Sequence, residues 1–128
     1  MTYDSSVHRG KRWEESAARW FQERHPEARL SARNFRTRAG EIDLIFEAPY
    51  QAGQGKQGSV LIFIEVRARL GHFQSGWESV DWKKQRRLAS TIQAYLVSYR
   101  GPATEIRIDI LQWDGRRFSH FPNQWLER

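Results

Sequence analysis

The chain has 128 residues, a formal charge of +6 and no cysteine. That length holds one domain with a real core and leaves no room for two. Without cysteine, disulfides, thiolate catalysis and thiolate-held zinc are excluded. His8, His25, His72 and His120 are too scattered to form a histidine-rich zinc site. The basic balance favours a polyanionic partner, nucleic acid before an anionic membrane. Nearly all the cations are arginines, whose planar fork matches phosphate. Many small soluble domains are basic without binding anything, so charge alone decides little. The N-terminus is polar and no run approaches membrane-spanning length, which predicts a cytoplasmic protein with no membrane partner.

In chain order, residues 1–8 read as a loose tail and 9–128 as a single domain. Arg9 to Arg24 reads as a helix, with Trp13, Ala17, Trp20 and Phe21 on one apolar stripe. Pro26 ends it, because the residue before a proline disfavours helical dihedrals. Ala28 to Phe35 and Glu41 to Glu47 read as strands around a turn at Thr37 to Gly40. The glycine-rich stretch Ala48 to Gly58 is a loop, and Val60 to Arg69 a third strand. A second loop, Leu70 to Trp77, leads to a helix from Val80 to Tyr99. Its expected buried stripe is Leu88, Ile92, Tyr95, Leu96 and Tyr99, and Gly101-Pro102 stops it. Glu105 to Trp113 and Arg116 to Phe121 flank Asp114-Gly115, a strong hairpin signal. The order α-β-β-β-α-β-β predicts an α/β fold, a mixed sheet flanked by helices.

Two acids stand where apolar residues belong. Asp43 interrupts Ile42-Asp43-Leu44-Ile45-Phe46, and Glu65 follows Leu61-Ile62-Phe63-Ile64. A carboxylate in a strand covered on both faces is costly unless a cation or donors compensate it. Two on neighbouring strands suit Mg²⁺, or Mn²⁺, because hard cations take oxygen ligands. Such a metal generates hydroxide near neutral pH and stabilises charge on a phosphate. Glu65 and Arg67 alternate onto one face of their strand. Arg67 stays protonated, so it orients or stabilises and never acts as a base. Lys83, Lys84, Arg86 and Arg87 open the second helix as candidate phosphate contacts, or as an ordinary solvated face. Trp77 and Trp82 are candidates to stack on bases. Spacing alone makes Glu14 a helix-boundary charge, Glu41 a solvated one, and Asp109 the partner of a nearby arginine.

These residues resemble a family. Gly10-x-x-x-Glu14-x-x-Ala17, Arg33-Asn34 and Gly40-Glu41-Ile42-Asp43-Leu44-Ile45 are similar to the YraN-type bacterial proteins. So are Phe63-Ile64-Glu65-Val66-Arg67-x-Arg69 and Ser79-Val80-x-x-x-Lys84-Gln85. That family looks like a branch of the PD-(D/E)xK nucleases, related to archaeal Holliday-junction resolvases. The resemblance implies a restriction-endonuclease-like fold, Asp43 and Glu65 as metal ligands, and Glu14 as an auxiliary acid. It also places Arg67 in the catalytic set, where the wider superfamily carries lysine. Arg69 joins the lysines and arginines of the second helix as a nucleic-acid contact. The expected activity is Mg²⁺-dependent hydrolysis of phosphodiester bonds in structured or branched DNA, with DNA favoured over RNA and a homodimer as the assembly to test. The alternative is a nucleic-acid-binding module that kept the fold and lost turnover, for which the arginine at position 67 is the argument. A third reading, a protein-interaction adaptor, rests on the tryptophans alone.

Overall fold

The computed structural model describes residues 5–49, 58–68 and 80–124, with the backbone alone at 5–13. Two helices and five strands follow the expected order: α1 (Ser5–Arg24), β1 (Arg29–Arg36), β2 (Glu41–Pro49), β3 (Ser59–Ala68), α2 (Trp82–Ser98), β4 (Ala103–Trp113) and β5 (Phe118–Phe121). They form an α/β fold around one mixed sheet, ordered β1-β2-β3-β4-β5. Only β3 and β4 run parallel, joined by the crossover through α2. The other pairs are antiparallel. Among the described residues no helix is long and apolar enough to cross a membrane.

The continuous apolar run of β3 has a plain cause. Ile62 and Ile64 join Ala17, Ala18 and Phe21 of α1, whereas Leu61 and Phe63 join Leu88 and Ile92 of α2. A strand covered on both faces has no polar side to show. Glu65 continues the Leu61, Phe63 series, toward α2.

Several boundaries differ from expectation. α1 begins at Ser5, so residues 5–8 extend the helix instead of forming a tail. α2 begins at Trp82 because Asp81 caps it, its carboxylate accepting the N–H of Lys84 at 2.9 Å. Its buried positions are Leu88, Thr91 and Ile92, with Tyr95, Leu96 and Tyr99 only partly covered. β5 begins at Phe118 and not Arg116, since Asp114 Oδ1 accepts the N–H groups of both Arg116 and Arg117. Those donors are thereby held in the turn and kept out of the ladder. Trp20 is half-buried, with the Arg24 guanidinium 3.9 Å above its ring. β2 runs on to Pro49, two residues into the loop expected from Ala48 to Gly58. Residues 50–57 of that loop, the expected loop Leu70 to Trp77, Arg69 and the Trp13 side chain lie outside the described residues.

Candidate active site

One end of the sheet collects the chemistry. The β2–β3 ladder reaches Leu44↔Ile64, so Asp43 and Glu65 are the next facing residues. Directly opposed residues bring their side chains together. Here the Glu65 carboxyl stands beside that of Asp43, whose Oδ2 accepts the N–H of Val66 at 2.8 Å. Asp43 is 8% exposed and Glu65 3%. Burial, then the charge of Glu65, pushes the Asp43 carboxyl well above its ordinary range. Asp43 and Glu65 thus form a buried pair of acids in contact at one end of the sheet.

Lys84 closes the pair from α2, its Nζ 2.6 Å from Glu65 Oε2 but off the line that a hydrogen bond needs. Glu14 approaches from α1. Burial and the charge of Glu41 raise its carboxyl, opposed by a hydrogen bond from Asn34, and Glu65 and Asp43 lie within its field. Glu14 is therefore a neighbour of the pair. Among the described residues no three His, Asp or Glu side chains are grouped closely enough to hold a metal ion. Arg67 alternates onto the same face of β3 as Glu65, and its charge is felt at the start of α2. There the N–H of Lys84 holds Asp81 below its ordinary range, with weaker help from Arg87 and Arg67. Lys83, Arg86 and Arg87 are exposed, and the Arg86 guanidinium lies 5.5 Å from the ring of Trp82, which is 60% exposed. Glu41 pairs with Arg36 at the surface, 3.0 Å apart.

Asn34 and Gln112 belong to this end of the sheet and escaped attention as individual residues. Asn34 lies between the Arg33↔Leu44 and Phe35↔Ile42 pairs, which puts it across from Asp43. Its φ of 49° breaks the strand's alternation, so Ala32 and Phe35 both pack on the α2 side. Gln112 faces Arg67 across the β3–β4 ladder, is 2% exposed, and its Oε1 accepts no hydrogen bond. The signal was available: Ile106, Ile108 and Ile110 alternate on that face, and the next position is polar. Gln112→Met keeps the volume and removes the orphaned acceptor. It is expected to raise the melting temperature of the metal-free protein, by about 1 kcal/mol of stability, in a denaturant titration.

The donor set fits a hydrated divalent cation. Asp43 and Glu65 bring carboxylate oxygens together, and Glu65 Oε2 is buried with only the Lys84 ammonium against it. Water molecules on a cation are donors, and Mg²⁺ commonly binds through one or two carboxylates while keeping several waters. Clefts of about 320 and 310 Å³ lie along α1, lined by neither Asp43 nor Glu65.

Comparison with known proteins places the chain. Residues 13–112 match the profile described as uncharacterised protein family UPF0102. A UPF0102 protein of Anaeromyxobacter dehalogenans is 36% identical over 118 residues, covering 88% of this chain and 80% of its own. One from Persephonella marina is 32% identical over 117 residues, 90% of each chain. The YraN protein of Salmonella agona is 32% identical over 115 residues, 88% of this chain and 79% of its own. The family match takes in Asn34, Asp43, Glu65 and the start of α2, and the chain belongs to the UPF0102 family, the YraN proteins among its members.

Proposed function

We propose that this protein is a divalent-metal-dependent nuclease that hydrolyses phosphodiester bonds in structured or branched DNA. The observation that carries the reading is the Asp43–Glu65 carboxyl pair, buried, facing across the β2–β3 ladder and backed by Lys84. Nothing in the packing of the core needs two acids there, and a cation is the partner that would relieve them.

Asp43 and Glu65 would hold Mg²⁺ or Mn²⁺. When bound, the ion supplies a hydroxide-generating water and charge stabilisation at the phosphate. The protein's own groups have separate tasks. Lys84, at 2.6 Å from Glu65 and 43% exposed, reaches both the pair and solvent, so its ammonium can meet a phosphate oxygen. Arg67 adds a fixed positive charge on the same face and stays protonated at neutral pH, so it orients or stabilises and does not act as a base. Glu14, with its carboxyl raised by burial, is a candidate to move a proton at the edge of the site.

The deciding experiment is a cleavage assay over forks, flaps, four-way junctions and single strands, with Mg²⁺, Mn²⁺ or chelator. Products that require metal and vanish in Asp43→Ala support the nuclease. Salt-dependent binding without products on any substrate supports the binding module instead. Lys84→Ala is expected to slow cleavage and to reduce the salt slope of DNA binding by about 0.9. Arg86→Ala and Arg87→Ala are expected to weaken binding alone. Equal slopes for Lys84→Ala and the parent, measured by anisotropy at several salt concentrations, would assign the cluster to solubility.

A further inference from the structure

The hairpin joining β4 to β5 carries cations that the carboxyl site does not use. Arg116 and Arg117 are exposed at its turn, their backbone N–H groups pinned by Asp114 at 2.8 and 3.0 Å. Together with Arg19, Trp20 and Glu23 of α1 and with Trp113 they line a cleft of about 310 Å³. Three arginines face one acid, so the cleft is cationic. Trp20 forms a wall: Arg24 covers one face of its ring and Phe118 packs at 5.8 Å. Trp113 is half-buried and rests on Phe118 at 5.0 Å, which fixes its ring at the cleft.

The ladder gives the cleft its place relative to the acids. Arg67 pairs with Gln112 and Ala68 with Trp113, so the hairpin leaves the sheet at the end where Asp43 and Glu65 meet. Leu111, two residues before Trp113, packs with α1, whereas Lys84 approaches from α2. A strand of nucleic acid crossing the carboxyl pair would meet Lys84 on one side of the sheet and the hairpin arginines on the other.

We propose that this cleft is a single-strand subsite, in which Arg19, Arg116 and Arg117 take phosphates and Trp113 stacks on an unpaired base. The chemistry is that of single-stranded binding, a cationic track beside an aromatic face. Duplex bases stack on one another and leave no ring face for the indole, so the ligand is an unpaired arm or tail. The inference deepens the nuclease reading and rests on it for the substrate, but its test needs no cleavage.

The test is fluorescence anisotropy in chelator, with a labelled mixed-sequence oligonucleotide of about 16 nucleotides and a blunt duplex. The parent is compared with the Arg116→Ala/Arg117→Ala double variant, Trp113→Ala and Trp113→Phe, each checked for a parental melting transition. The double variant is expected to bind the single strand about tenfold more weakly. Its salt slope is expected to fall by about 1.4, for two phosphates at about 0.7 each. Trp113→Ala is expected to lose roughly tenfold on the single strand, with Trp113→Phe near the parent and the duplex little affected by either. Unchanged single-strand affinity and slope in the double variant would overturn the subsite. Equal losses on single strand and duplex would overturn the stacking and with it the proposal. If Trp113→Ala fails to fold, the double variant and Trp113→Phe still decide. A parent that binds single strands through the hairpin but cleaves nothing would sink the nuclease reading and leave the subsite standing.

Discussion

Asp43→Asn is expected to end metal-dependent cleavage, by about a hundredfold or more, while making the metal-free protein more stable. The loss follows from removing one of two charges that fix the cation, on the scale of losing one group that stabilises transition-state charge. The gain in stability follows from the sign of the Asp43 shift. Its folded carboxyl is raised well above the ordinary value of 3.8 by burial and by Glu65. A group with a raised folded value contributes stability in full below its unfolded value and loses it as pH rises through the folded one. The metal-free parent should therefore melt at progressively lower temperature as pH rises from about 4 through the Asp43 transition. Asparagine has no proton to lose, so the variant should show a flatter profile over that window. Above it, Mg²⁺ or Mn²⁺ should raise the melting temperature of the parent and leave the variant where it was. Differential scanning fluorimetry across pH, with and without metal, reads all of these. A parent whose melting temperature ignores metal and climbs with pH in that window would remove Asp43 from the metal reading.

How much of this was legible beforehand depended on whether each cause was local. The strands around Asp43 and Glu65 were readable because β-branched runs bounded by glycine have few other homes, and the acids stood out against them. The meeting of the two carboxyls was not readable. It depends on a register across residues 50–57, and only the Leu44↔Ile64 pairing settles it. The start of α2 lies at Trp82, two residues after the expected Val80, for a reason of one hydrogen bond, the Asp81 cap. Thr91 replaced the outer aromatics as a buried position because its hydroxyl donates to the Arg87 carbonyl at 2.8 Å, so its polarity is satisfied inside the helix. Asn34 was visible only as half of an Arg-Asn pair, since a left-handed residue in a strand leaves no periodic trace. Gln112 was legible by the same test that found Glu65, a polar residue on an apolar alternation. An amide carries no charge, so its burial costs less and marks a site less sharply than that of an acid.

Asp109 shows how a buried carboxylate looks when the protein itself supplies every partner. It is fully buried, yet Arg107 donates two hydrogen bonds to it, both 2.9 Å, and Asn123 N–H a third at 2.9 Å. His120 Nε2 stands 2.7 Å from Oδ2, and the His120 ring packs edge-on against Phe21 and His25 under α1. The expectation of a structural ion pair to an arginine holds, with a histidine and a backbone N–H added. Burial alone would raise this carboxyl, but the hydrogen bonds of His120 and Arg107 and the charge of Arg107 outweigh it and hold it below its ordinary 3.8. The pH dependence therefore has the opposite sign to that of Asp43. A lowered folded value contributes stability that is present above the unfolded value and lost as pH falls through the folded one. Asp109→Ala leaves Arg107 and His120 facing no acceptor in a covered site, and is expected to cost about 3–5 kcal/mol in urea unfolding at neutral pH. Asp109→Asn keeps the shape and should lose less, while flattening the acid limb of the stability profile below about pH 4. Neither change touches the carboxyl pair, since Asp109 pairs with Ile64 in the ladder and lies on the α1 face. Folded Asp109→Asn should thus keep parental metal binding and any cleavage. Loss of metal binding in a folded Asp109→Asn would mean that the two acids act as one site, against the separation drawn here.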